Sequence, residues 1–294
     1  MIQSQMSAEH ERGALYLVPT PIGNLEDMTF RAIRILQEVD VIAAEDTRNT
    51  KKLCHHFDIH TPLMSTHEHN EMASREGIIQ RLEKGESVAI VSDAGMPCIS
   101  DPGVHVVERA IEEGYAVVPL PGANAAVTAL VASGISPQPF TFYGFLPRKK
   151  KERVTVLENY ATHRETLIFY ESPHRLKEML RAIEETFGSE RSIVLAREVT
   201  KKFEEFLRGT VRAAVTWAEE SVIRGEFCVI VSPFTGEVER EEESTWWETL
   251  SLIEHVDYYI EETQIRTKEA VQKVADDRNL KKRDVYNAYH ADER

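Results

Sequence analysis

Four carboxylates stand where short apolar runs give way to polar loops: Glu45 and Asp46 after VIAA, Asp93 after VAIV and Ser92, and Glu171 after TLIFY. A carboxylate so held can take the proton of a weakly acidic hydroxyl that comes within hydrogen-bond reach. Cations accompany them. Arg48, Arg175, Arg197 and Lys201 fall near the same loops, and Arg148 and Lys149 open the run RKKK. Such groups hold phosphates or pull down a neighbour's pKa. Each also has a plainer role, since loop carboxylates cap helices and basic runs are commonly solvated faces. The residues leave the proton acceptor open among Glu45, Asp46, Asp93 and Glu171, with Glu171 or Asp93 expected to matter most.

His55, His56, His60, His67 and His69 hold five of the eleven histidines within fifteen residues. Their spacing matches no common ligand pattern, so a polar loop beside a cleft is expected rather than a metal site. Cys54, Cys98 and Cys228 are odd in number and far apart, which leaves them as small buried hydrophobes. Phe142, Tyr143 and Phe145 beside the basic run have the makings of a base-stacking platform, although alternate residues of a strand must face inward.

The frame for these residues is a repeated unit of apolar run, loop and helical pattern. Strands are predicted at 14–18, 41–44, 88–91 and 116–120. Helices follow from about Thr29, where Phe30, Ile33 and Leu36 recur, through Val106, Val107 and Ala110, and over 123–132. Asp101 reads as the N-cap of the second of these helices, with Pro102 at its first position. A second series has strands at 140–145, 166–170, 192–196 and 226–231, with helices through Val154 and Leu157 and over 175–187. Alternation of this kind implies a largely parallel sheet with ligands beyond the carboxyl ends of its strands. The expected division is an α/β unit over 13–134, a second over 135–236, and an acidic linker with a helical tail over 237–294. Near Arg278 the tail turns, and Lys281, Lys282 and Arg283 open its last helix, which suits a helix-turn-helix or an ordinary hairpin.

A chain of 294 residues exceeds what one core usually supports. No apolar run approaches the roughly 18 to 20 residues of a membrane span, and the opening MIQSQMSAEHERG lacks a secretion signal's apolar core, so a cytoplasmic protein is expected. The net charge of −14 works against a polyanionic partner, yet it is uneven: EVEREEE at 237–243 is acidic, RKKK at 148–151 and KKR at 281–283 are basic. No Gly-x-Gly-x-x-Gly follows the first strand and no phosphate-cradling Gly-x-x-x-x-Gly-Lys-Ser/Thr occurs. Residue by residue, this is an α/β protein with a loop-built ligand site.

Seven segments carry it further: VPTPIGNLEDMTFRA (18–32), AAEDTR (43–48), SDAGMPCISDPG (92–103), PLPGANAA (119–126), FYGFLPRK (142–149), FYESPHR (169–175) and AREVTKKFEEFLRG (196–209). In this order they resemble the tetrapyrrole methylase superfamily, and specifically its branch of small-subunit ribosomal RNA methyltransferases. The resemblance implies two αβα domains of the class III S-adenosylmethionine-dependent type plus a small C-terminal helical domain. It implies 2′-O-methylation of a cytidine ribose of 16S ribosomal RNA in the small subunit, by a homodimer using S-adenosylmethionine, with no membrane and no metal. Cofactor contacts would come from Ile22, Ala94, Met96, Pro97, Ile99, Pro121, Gly122, Asn124, Ala125 and Glu171, and RNA contacts from Arg48, Arg148, Lys149, Arg175, Arg197 and Lys201. The same fold also serves tetrapyrroles and other small acceptors, and a catalytically silent ribosome-binding protein is a third possibility. The opening Pro-Thr-Pro-Ile-Gly-Asn in place of a glycine-rich loop, the FYESPHR segment and the helical tail favour RNA.

Overall fold

Strands buried on both faces must be apolar on both faces, and the first five are nearly so. The computed structural model describes residues 13–66, 71–237 and 247–291, without the side chains of 71–74, in two compact units, Met1–Thr235 and Gly236–Arg294. The first unit opens with β1 (Ala14–Val18), α1 (Phe30–Glu38), β2 (Val41–Ala44), α2 (Thr47–His56), β3 (Leu63–Ser65), α3 (Glu71–Glu83), β4 (Val88–Val91), α4 (Val104–Glu112) and β5 (Ala116–Pro119). These strands form one sheet in the order β3-β2-β4-β1-β5, with every pair parallel. One face buries Val18, Ile42 and Ala89 against Leu36 of α1, while the other buries Leu15, Val41 and Val88 against Ile78 and Leu82 of α3.

The chain continues through α5 (Ala125–Ser133), β6 (Phe140–Phe145), α6 (Lys150–Tyr160), β7 (Thr166–Glu171), α7 (Leu176–Phe187), β8 (Ser192–Arg197), β9 (Glu205–Thr210), α8 (Val211–Glu220) and β10 (Phe227–Val231). This second sheet has the order β6-β7-β10-β8-β9 and is mixed: only β6 and β7 are parallel. The alternation of side chains divides it cleanly. Leu167, Phe169, Leu195 and Val229 pack under α7 and α8, whereas Ile168, Val194, Cys228 and Ile230 face α5. Helix α5 therefore seats Ala126, Ala129 and Leu130 on the second sheet. Arg208 of β9 fastens its end, donating to the carbonyls of Ala132 at 2.7 Å and Ser133 at 3.1 Å, where cations favour a helix C-terminus.

The smaller unit comprises α9 (Leu252–Thr263), α10 (Thr267–Asp277) and α11 (Lys282–Tyr289) around Val256, Val271, Val274 and Val285. Arg278 ties it together, donating from Nη2 to the carbonyls of Trp247 at 2.6 Å and Leu250 at 2.5 Å, and from Nε to His255 Nδ1 at 3.2 Å. Among the described residues no helix is long and apolar enough to cross a membrane.

Three expectations need correction. Helix α4 begins at Val104 with Gly103 as N-cap at φ 123°, so Asp101 and Pro102 lie outside it. Phe30 is 95% exposed, and α1 buries Ala32, Ile35 and Leu36 instead. The histidine stretch expected as a polar loop begins inside a helix, since His55 and His56 close α2, which Thr50, Leu53 and Cys54 anchor at helical spacing. His67, His69 and most of the acidic stretch 237–243 lie outside the described residues.

Leu130 is 2% exposed between α5 and the second sheet. Leu130→Ala should cost about 2–5 kcal/mol of unfolding free energy in urea titration, with an unchanged m value.

Candidate active site

The loops leaving the carboxyl ends of the first sheet are held by a pair of backbone bonds. Thr20 N–H donates to the Gly95 carbonyl and Gly95 N–H to the Thr20 carbonyl, both at 2.9 Å. Beneath them the Thr20 hydroxyl donates to the Ser92 carbonyl at 3.1 Å and the Ser92 hydroxyl to the Gly95 carbonyl at 2.9 Å. Both hydroxyl residues are 4% exposed, so every one of these groups needs its partner. Gly95 sits at φ 82°, Cys98 at 69°, Ser100 at 63° and Gly103 at 123°, which coils the loop tightly.

The coil forms one wall of a cleft of about 460 Å³, a size suited to a small organic ligand. Ile22, Ala94, Met96 and Ile99 line it from the first sheet's loops, with Asn124 and Ala125 at the start of α5. Tyr170, Glu171 and Cys228 line it from the second sheet. Asn124 is the N-cap of α5 and accepts from Val127 N–H at 3.1 Å. Ala126 N–H donates to the Tyr170 hydroxyl at 3.0 Å, and burial pushes that phenol up to about 12. Three residues expected here lie elsewhere. Pro97 is buried within the coil and off the cleft, and Pro121 and Gly122 are exposed, with a Cβ on Gly122 only 2.6 Å from Pro19.

The carboxylates separate into kinds. Glu45, Asp93 and Glu171 line the cleft, whereas Asp46 turns back to cap α2, accepting from Arg48 N–H at 2.8 Å and pairing with its guanidinium at 2.7 Å. Those Arg48 hydrogen bonds lower the Asp46 carboxyl to about 2, which makes it a poor proton acceptor. Glu171 has a fully buried side chain. Its Oε1 accepts from Ser172 N–H at 2.8 Å, Oε2 lies 3.3 Å from Arg175 without a hydrogen-bond donor, and burial raises its pKa against those partners. Asp93 stands exposed on the rim, accepting from Asp46 N–H at 3.2 Å and from the Asn49 amide at 3.4 Å. Asp101, which the Asp-Pro pattern assigned to a helix cap, also lines the cleft. Burial first, and then Glu45 and Asp93, push its carboxyl up to about 6.

The expected RNA-facing cations are similarly sorted. Arg148 and Lys149 are exposed, and Lys149 pairs with Glu152 at 2.9 Å. Arg48 is exposed beside Asp46. Arg175 is instead committed to the Leu146 carbonyl at 2.7 Å and to Glu171, and Arg197 to the Arg224 carbonyl at 2.7 Å and Glu205 at 3.1 Å. Lys201 reaches the cleft but bridges Glu198 and Glu226, both at 2.9 Å. Their donors are used within the fold, which sequence spacing cannot show. Of the three aromatics expected as a stacking platform, Phe142 and Tyr143 pack into the two cores, and Phe145, 53% exposed, opens onto the cleft. Among the described residues no group of three or more His, Cys, Asp or Glu is placed to hold a metal ion.

Asp93 has a second neighbour. A smaller cavity of about 220 Å³ lies on its other side, lined by Pro21, Gly23 and Leu25 from the first loop and by Asn49, Lys52 and Leu53 from α2.

Comparison with known proteins agrees with the geometry. Residues 14–215 match the family described as tetrapyrrole (corrin/porphyrin) methylases. A ribosomal RNA small subunit methyltransferase I of Bacillus subtilis is 58% identical over 99% of both chains. The enzyme of that name from Halalkalibacterium halodurans is 56% identical over 98% of both, and that of Streptococcus pyogenes serotype M3 is 44% identical over 98% of this chain and 99% of its own. Among solved structures, diphthine synthase superposes with a TM-score of 0.60 at 12% identity, covering 75% of this chain and 90% of its own. A Thermus thermophilus uroporphyrin-III C-methyltransferase complexed with S-adenyl homocysteine does so at 0.55 and 15%, covering 74% and 97%. At such identities these two share the fold.

Because the Asp101 carboxyl titrates near 6 when folded against 3.8 as the reference, its ionisation opposes folding, and the stability it offers in acid is lost as pH rises through that window. Asp101→Asn should therefore match the parent's melting temperature below pH 3.8 and exceed it by a few degrees above about pH 6. A difference independent of pH, followed by scanning calorimetry, would contradict this.

Proposed function

The chain belongs to the tetrapyrrole methylase family, and from that premise we propose that it transfers a methyl group from S-adenosylmethionine to the ribose 2′-oxygen of a cytidine in small-subunit ribosomal RNA. The observation that carries this reading is identity of 44–58% along almost the whole chain with enzymes named for that RNA, where tetrapyrrole-modifying proteins share the fold at 14–21%.

The cleft suits the cofactor. Six carboxylates, Glu45, Asp93, Asp101, Glu171, Glu198 and Glu226, line it against one lysine, Lys201, a setting that favours a cationic ligand, and Glu171 Oε2 is a buried acceptor with no donor. Ile22, Ala94, Met96 and Ile99 would hold it by apolar contact and main-chain groups, with Asn124, Ala125 and Glu171 opposite. When bound, S-adenosylmethionine supplies a methyl group already activated by its sulfonium charge. The protein's part is alignment and proton removal. Asp93 is the proposed acceptor. Its Oδ atoms stand on the rim, steadied by Asp46 N–H and Asn49, where a ribose hydroxyl arriving from solvent meets the cleft. Glu171 is too enclosed for that and binds the cofactor instead.

We place RNA contact at Arg48, Arg148 and Lys149, whose side chains face solvent. The further organisation we propose is a cytoplasmic homodimer of three-part chains, divided at 13–134, 135–236 and 237–294. Its substrate is the assembled small subunit, since a net charge of −14 repels naked RNA.

Radiolabelled S-adenosylmethionine incubated with unmodified small subunits should place label on one cytidine ribose by nuclease mapping, and label on no ribose would overturn the reading. Asp93→Asn should lower kcat about 10²–10⁴-fold, far more than it weakens cofactor binding by calorimetry, whereas Glu171→Gln should weaken chiefly the cofactor itself.

A further inference from the structure

The smaller cavity and the helix beside it carry chemistry that the cleft does not use. Alternate residues of the first loop face opposite ways: Ile22 lines the cleft, while Pro21 and Gly23 line the cavity. Asp93 borders both. The partition between them is the Thr20–Gly95 bridge, which cannot part without stranding buried donors. At about 220 Å³ the cavity is roughly half the size of the cleft and has room for one base and its sugar. Its apolar wall, Pro21, Leu25 and Leu53, gives a flat ring something to lie against.

The polar groups there divide in the same sense. The Thr20 and Thr50 hydroxyls are spent on the carbonyls of Ser92 and Asp46, both at 3.1 Å, so they are wall. Asn49 is exposed at the opening and touches Asp93 through one amide proton only, at a long 3.4 Å. An amide so placed offers both donor and acceptor to a base edge. In a chain of net charge −14, the ten residues of α2 contain no carboxylate, and Lys51 and Lys52 are exposed on it. A basic strip beside a base-sized cavity is what a nucleotide with its flanking phosphates requires.

We propose that the cavity receives the acceptor nucleoside of the RNA, with Asn49 against the base edge and Lys51 and Lys52 on the flanking backbone. The sugar would lie across the rim, its 2′-hydroxyl at Asp93. This rests on the RNA reading above and adds the position and orientation of the substrate.

The test is equilibrium binding of unmodified small ribosomal subunits without cofactor, beside calorimetric titration of S-adenosylmethionine. Lys51→Glu/Lys52→Glu should raise the subunit Kd at least about tenfold and reduce the slope of log K against log salt by about two. Asn49→Ala should raise Kd about tenfold with the slope unchanged. Asn49→Phe, which plugs the opening, should abolish labelling of the subunit while its thermal melt stays that of the parent. Cofactor affinity should stay within twofold in all three, because none of these residues lines the cleft. Parental Kd and slope in the lysine variant, or parental labelling in Asn49→Phe, would overturn the proposal while wild-type labelling upholds the RNA reading. Absence of label with the wild type would instead remove the reading on which it rests.

Discussion

Two backbone hydrogen bonds between Thr20 and Gly95 hold the functional end of this molecule in place. They join the loop after β1 to the loop after β4, and the Thr20 and Ser92 hydroxyls beneath them leave no polar atom of the junction dependent on water. A buried donor left without its partner costs about 1–3 kcal/mol, so the junction is formed whole or not at all. From it follow the coil of left-handed residues, the wall of the cleft and the separation of cleft from cavity.

The second constraint is that α5 serves both halves. Its first residues, Asn124 and Ala125, look into the cleft, while its body lies on the second sheet and its end is held by Arg208. The hydrogen bond from Ala126 N–H to the Tyr170 hydroxyl joins the two functions, and it exists because a phenol inside a core needs a polar partner. Opposed roles for neighbouring carboxylates follow from such placement. Asp46 is drawn out to Arg48, Glu171 is drawn in, and Asp93 is left between them at the rim.

Strands were the most legible part of the sequence, because VIAA, VAIV and TLIFY are too short and too apolar for surface helices. The direction of strands in the second sheet was not legible, since apolar alternation is the same whichever way the neighbour runs. Asp101 was misread because Asp-Pro is a good helix start, yet Gly103 alone could take φ 123° and moved the start two residues on, freeing the carboxyl for the cleft. Helix α2 was hidden by its polarity, although Thr50, Leu53 and Cys54 marked its buried stripe. Pro121 and Gly122 were expected among the ligand-loop residues, yet neither lines the cleft, and a Cβ at Gly122 would meet Pro19. Loop residues such as Ile22, Ala94 and Met96 were legible only as a set, through family resemblance, since each alone is an ordinary apolar side chain.

The placement of α5 also bears on how the enclosure opens. The helix's contacts, Ala126, Ala129 and Leu130 on Ile168, Val194 and Ile230 and two carbonyls on Arg208, all lie within the second half, so α5 and the second sheet move as one piece. A swing between the sheets would therefore be taken up ahead of Asn124, in the connection from β5, with the dry surface beneath α5 kept closed. Phe145 and Ile99, both partly in solvent, are the large apolar side chains a ligand meets on its way into that cleft.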